Sequence, residues 1–183
     1  MGENAIALGK GASAVKNSIA IGNGAYTQDG TWTKGHSVAL GNGAVTGAKS
    51  TSIGDNARGG REGTITIGAN ANNGAVYATI VGTDSGINYK STYSGAVSTV
   101  IGSKNNIKND KQDYSGVASS ILGAANTIEN SNGVTIQGTG NKVTGAYKNM
   151  NLSLSDSLSA LGGNYSFLAE KENGAIAIIG GAN

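Results

Sequence analysis

Short apolar alternations closed by a glycine punctuate the chain: AIALG (5–9), SIAIG (18–22), SVALG (37–41), TSIG (51–54) and TITIG (64–68). Side chains alternate between faces in an extended strand, so residues three and one before each glycine share a face. In the first five repeats that face carries Ile6/Leu8, Ile19/Ile21, Val38/Leu40, Thr51/Ile53 and Ile65/Ile67. The opposite face carries Ala5/Ala7, Ser18/Ala20, Ser37/Ala39, Ser50/Ser52 and Thr64/Thr66. One face is large and aliphatic, the other small. Further along, the position two before the glycine becomes Ile80, Val100, Ile121, Ile136, Ala160 and Ile178, and three before becomes Thr79, Thr99, Ser120, Thr135, Ser159 and Ala177. One before stays aliphatic at Val81, Ile101, Leu122, Leu161 and Ile179, with Gln137 the exception. Strands apolar on both faces are expected to be buried on both.

Eleven glycines close these segments: Gly9, Gly22, Gly41, Gly54, Gly68, Gly82, Gly102, Gly123, Gly138, Gly162 and Gly180. Their base spacing of 13 to 15 residues is too long for a hexapeptide solenoid and too short for leucine-rich or helical repeats. Two short strands and two tight turns per coil fit it, which predicts a parallel β-solenoid of about eleven coils. After each glycine come two turn residues and a second strand of small residues, as in KGASA (10–14), NGAYT (23–27) and NGAVT (42–46), where Asn-Gly supplies the positive φ of a corner. In later coils the alanine of this segment is replaced by Asn105, Asn126 and Asn141, and stacked asparagines are expected to hydrogen-bond from coil to coil. The extra length of the longer repeats falls after the second strand, near 28–36, 88–96, 108–117, 146–157 and 166–174, so the insertions should emerge along one edge. YSGAVSTVIG (93–102) and YSGVASSILG (114–123) align without a gap and read as a duplicated coil with its loop.

Composition agrees with a solenoid: 183 residues include 31 glycines and no proline, a residue that would remove a ladder donor. A net charge of +2 without runs of like charge gives no reason to expect nucleic acid or an anionic membrane as partner. The lack of cysteine removes disulfides and thiolate metal sites, and suits an exported protein. MGENAIALG enters the first repeat at once, so no leader or anchor is expected in this sequence, which reads as a fragment of a longer chain.

AIALGKGASAVKNSIAIGNGAYT and SVALGNGAVTGAKSTSIGDNA closely resemble the head repeats of trimeric autotransporter adhesins, the YadA-like heads. The likeness is specific over 4–74 and looser over 75–183, where SKNNIKN, AANTIEN and TGNKVTG resemble an asparagine-containing variant and the insertions depart from the compact type. Two stretches of one continuous solenoid follow: regular head repeats over 1–74 and variant repeats with inserted loops over 75–183. The resemblance implies a left-handed parallel β-roll assembled as a homotrimer and displayed on the outer membrane of a Gram-negative bacterium. It also implies attachment to a host cell-surface or matrix protein, or to another bacterium. In that geometry one strand face fills each roll and the other meets its neighbours at the axis. The small Ala/Ser face of the first coils is expected at the axis, permitting close approach, with Ile and Val filling a wider gap in later coils. The family's neck, stalk and anchor barrel have no counterpart here.

Catalysis has little to work with. His36 is the single histidine and reads as a corner residue. The carboxylates are scattered among lysines, and only Asp55 and Asp84 approach the repeating turn aspartate that calcium-binding solenoids need, so no metal or cofactor is expected. The aromatics point to partner binding: Trp32, Tyr89, Tyr93, Tyr114, Tyr147 and Phe167 lie in or beside insertions, and Tyr26 lies in a second strand. Tyr and Trp on loops along one edge suit a protein-binding surface; they equally suit rings that cover a corner of the roll. Three readings of the whole remain: an adhesin head binding through lateral loops, a passive spacer in a fibre, and an ice-binding solenoid. The last would need a regular outward threonine array, for which Thr79, Thr99 and Thr135 with Ser120 and Ser159 make one partial column.

Overall fold

A computed structural model describes residues 1–30, 34–88, 94–110, 116–146 and 176–181. It is all-β, with strands in two parallel sheets and no helix among the described residues. The first sheet orders ten strands: β1 (Ile6–Leu8), β2 (Ile19–Ile21), β4 (Val38–Leu40), β6 (Thr51–Ile53), β8 (Ile65–Ile67), β10 (Thr79–Val81), β12 (Thr99–Ile101), β14 (Ser120–Ala124), β16 (Val134–Thr139) and β18 (Ile176–Gly181). The second orders the eight strands between them: β3 (Tyr26–Thr27), β5 (Val45–Thr46), β7 (Arg58–Gly59), β9 (Asn72–Asn73), β11 (Gly86–Ile87), β13 (Asn106–Lys108), β15 (Thr127–Glu129) and β17 (Lys142–Thr144). The chain winds from one sheet to the other and pairs each strand with the next of its own sheet, as a β-solenoid requires. At about 4.8 Å per strand the ten-stranded sheet is about 45 Å long.

The anchor glycines explain the register. The ten among the described residues adopt positive φ, as in Gly41 (φ 136°), and a Cβ there would collide with the Gly54 carbonyl of the next coil. The two corners of each coil need left-handed residues. One corner uses Gly24, Gly43, Asn56, Asn70, Asp84, Lys104, Ala125 and Gly140; the other uses Asn4, Asn17, His36, Lys49, Gly63, Tyr77, Val97, Ala118 and Gly133. Asparagine and glycine enter this region at low cost, but valine does not.

The structure reverses one expectation. The small residues fill the roll: Ala20, Ala39, Ser52 and Thr66 are fully buried, facing Thr27, Thr46, Gly59 and Asn73 of the second sheet. The aliphatic pairs point outward, with Ile6, Leu8, Ile21, Ile65 and Ile67 exposed and Ile19, Val38, Leu40 and Ile53 half-buried. In these coils both sheets turn small side chains inward, so they pack closely and leave the aliphatic pairs outside. From β10 onward the interior becomes aliphatic, with Ile80, Val100, Ile121 and Ile136 packed on Ile87, Ile107, Ile128 and Val143.

The corner changes with the interior. In the alanine coils the turn closes on itself: Ala25 N–H donates to the Gly22 carbonyl (3.2 Å) and Ala44 N–H to that of Gly41 (3.3 Å). In the later coils asparagine replaces this bond with a ladder. Asn126 Nδ2 donates to Asn105 Oδ1 (3.0 Å) and to the Gly138 carbonyl (2.7 Å), and Asn141 Nδ2 donates to Asn126 Oδ1 (3.0 Å) and to the Gly180 carbonyl (2.9 Å). The longer side chain spans a corner held open by a thicker core, and all three asparagines are buried.

Among the described residues the first sheet closes with β16 paired to β18 over six residues, Gly138 opposite Gly180. Residues 159–162 lie outside the described residues.

Candidate functional site

Three surfaces result from this winding. The outer face of the first sheet carries two columns in strict register. Leu8, Ile21, Leu40, Ile53, Ile67, Val81, Ile101, Leu122, Gln137 and Ile179 form one; Ile6, Ile19, Val38, Thr51, Ile65, Thr79, Thr99, Ser120, Thr135 and Ala177 form the other. The first column is aliphatic in nine of its ten positions, and Leu122 is 47 % exposed in mid-sheet. Monomeric proteins seldom leave so continuous an apolar stripe in water. In the second column Thr79, Thr99, Ser120 and Thr135 are consecutive neighbours, uninterrupted by the insertions, which leave the roll at a corner.

The outer face of the second sheet is polar. Its column of Tyr26, Val45, Arg58, Asn72, Gly86, Asn106, Thr127 and Lys142 contains one aliphatic side chain. Tyr26 is 42 % exposed here, so among the aromatic candidates it presents its ring to solvent from a strand. Beside this column lies a depression of about 450 Å³ lined by Gln28, Arg58, Gly60, Arg61, Asn72 and Gly74.

The third surface is the edge from which the insertions depart. Every long connection runs from a second-sheet strand to the following first-sheet strand: β3 to β4, β11 to β12, β13 to β14 and β17 to β18. Trp32, Tyr89, Tyr93, Tyr114, Tyr147 and Phe167 lie outside the described residues. The bases of two loops are tied together, Asn130 Nδ2 donating to Asp110 Oδ1 (2.7 Å) and Asp110 N–H to Asn130 Oδ1 (3.1 Å).

Tyr77, absent from the aromatic candidates, shows how a ring can serve this edge structurally. It occupies a left-handed corner position (φ 53°) and lies over Gly63 of the preceding coil, where any side chain would strike the ring. Burial, and secondarily the Glu62 carboxylate, pushes its phenol pKa up. The sequence signal was Gly63, the one glycine in a column otherwise held by His36, Lys49 and Tyr77 over those coils. His36 is a corner residue of the same column (φ 57°). Asp55 and Asp84 each accept an amide proton from the preceding coil, from Asn42 Nδ2 (2.9 Å) and Asn70 Nδ2 (3.0 Å). The described residues hold no group of three or more histidine, cysteine, aspartate or glutamate side chains able to share a metal ion.

Compared with protein-family models and with curated proteins, the chain matches none of the former and none of the latter significantly.

Proposed function

We propose that this chain is the head segment of a homotrimeric surface adhesin that attaches to a host cell-surface or matrix protein through its lateral loops. The observation that carries the reading is the asymmetry of the two outer faces: a stripe aliphatic at nine of ten positions on the first sheet and a polar surface on the second. Thirteen aliphatic side chains point out of the first sheet. Most are about half exposed, so covering each contributes on the order of 1 kcal/mol, or about 10 kcal/mol per chain. That offsets the cost of association, about 4 to 15 kcal/mol. A trimer with these stripes at its axis turns the polar faces outward and leaves the insertion edges free for a partner. The left-handed roll and the bacterial outer-membrane location belong to the same reading and rest on the resemblance of 4–74 to YadA-like heads.

The contiguous Thr79, Thr99, Ser120 and Thr135 column favours a second reading, ice binding, on one specific ground: it is in register and outward. It spans four of ten strands and gives way to Ala177 at one end and Ile65 at the other, which weighs against it. Attachment is tested by immobilising host matrix and receptor proteins and measuring retention of the chain and of Trp32→Ala. The adhesin reading expects retention that Trp32→Ala lowers several-fold with thermal stability unchanged. No retention on any surface, together with thermal hysteresis in solution, would transfer the assignment to ice binding.

A further inference from the structure

We infer that the glycine-floored trough on the second sheet binds acidic saccharide chains, with Arg58 gripping a carboxylate or sulfate group. The inference is independent of trimer formation and of the loops, since it uses only an outward face of the single roll. Backbone pairing sets Gln28, Gly47, Gly60, Gly74 and Asn88 in one column: Gln28 N–H donates to the Thr46 carbonyl, Gly47 to Gly59, Gly60 to Asn73 and Gly74 to Ile87. Of these, Gln28, Gly60 and Gly74 line the depression of about 450 Å³, whereas the space beside Gly47 is filled by the Arg61 backbone, 2.7 Å from where a Cβ would stand. The absent side chains at Gly60 and Gly74 leave its floor open.

Both arginines of the chain line it. Arg58 stands in the exposed outer column between Val45 and Asn72, and among the described residues it has no acidic partner. The nearby Glu62 carboxylate is directed to Lys49 (3.9 Å) instead. A guanidinium fork matches a carboxylate or sulfate bidentately, unlike the compact lysine ammonium. The exposed Asn72 amide and the Gln28 amide each offer a donor and an acceptor on the same floor, the pairing that sugar hydroxyls require. An acidic peptide would be expected to use apolar side-chain pockets or a free strand edge; the interior strands β7 and β9 are paired on both edges and the trough is polar. Its length, three coils at about 4.8 Å, suits two or three sugar rings.

The test is titration of the full chain, followed by amide chemical shifts, with a hyaluronan hexasaccharide carrying carboxylates and a heparin-type hexasaccharide carrying sulfates as well. Maltohexaose and a hexaglutamate peptide are the controls. Shifts should centre on 58–61 and 72–74 for an acidic saccharide, and binding should weaken as salt screens the charges. Which saccharide binds more tightly distinguishes carboxylate from sulfate as the preferred group. Arg58→Ala should weaken binding about tenfold or more and Arg58→Lys should recover part of it. Gly60→Gln fills the trough at a site where an added Cβ meets nothing within 4 Å, so it should block binding without unfolding the chain. Equal binding of maltohexaose, equal or tighter binding of hexaglutamate, acidic saccharide binding indifferent to both Arg58→Ala and Gly60→Gln, or no binding at millimolar saccharide would each overturn the assignment.

Discussion

Removing the side chain of Asn126 probes the change of corner that divides this roll. Its amide nitrogen donates to Asn105 Oδ1 and the Gly138 carbonyl, and its oxygen accepts from Asn141 N–H and Nδ2 (3.0 Å each). In Asn126→Ala, Asn105 Oδ1 keeps the Asn126 backbone N–H (3.0 Å) and Asn141 Nδ2 keeps the Gly180 carbonyl. Two groups then lose the Asn126 amide as partner, the half-buried Gly138 carbonyl and the buried Asn141 N–H, at about 1 to 3 kcal/mol each. In an alanine coil the equivalent two groups bond to each other, as Ala25 N–H does to the Gly22 carbonyl. That escape is closed here because β16 continues through Gly138 and Thr139, paired with Gly180 and Gly181. The expected loss is therefore about 3 kcal/mol, read from the urea midpoint with its slope unchanged. Asn126→Asp should be worse at neutral pH and partly recover in acid. Burial raises the folded-state pKa of the introduced carboxyl above its unfolded value, so its neutral form, and the stability it leaves, is favoured at low pH and lost as pH rises through the folded pKa. A loss below about 0.5 kcal/mol for Asn126→Ala would refute the reasoning, by showing that the corner reverts freely to the alanine form.

Other consequences are equally direct. Gly41→Ala drives a Cβ into the Gly54 carbonyl at φ 136° and should cost at least about 3 kcal/mol in denaturant unfolding, whereas Gly24→Ala, at φ 66° with open space around it, should cost about 1 kcal/mol. Val97 sits at φ 52°, a conformation costing a β-branched residue about 1 to 3 kcal/mol, so Val97→Asn should raise the melting temperature by a few degrees. Gly63→Ala should displace the Tyr77 ring, lowering the phenol pKa toward its ordinary value in a spectrophotometric titration; an unmoved pKa would show that the ring does not rest on Gly63.

The glycine rhythm made the winding legible because the anchors from Gly9 to Gly138 each place their backbone against the glycine carbonyl of the next coil, where a Cβ would collide. The asparagine column was legible for a similar reason, since a buried amide repeated at one corner has only its own copies and nearby carbonyls to bond. Alternation shows which residues share a face but not which face is inside. The structure puts the small face inside, Ala20, Ala39 and Ser52 buried together with Thr27, Thr46 and Gly59 of the second sheet. Of the aromatic candidates Tyr26 lies among the described residues, and its exposure follows from the outward column it shares with Arg58.

Sedimentation equilibrium of the purified chain bears most directly on the account, because the proposed trimer covers the aliphatic stripe on the first sheet with copies of the same chain. The account expects a mass of three times 18.1 kDa, about 54 kDa. It also expects dissociation when Leu40→Glu and Leu122→Glu place charges on the half-buried and exposed positions of that stripe. A folded, soluble 18.1 kDa monomer at tens of micromolar, unchanged by those substitutions, would contradict it.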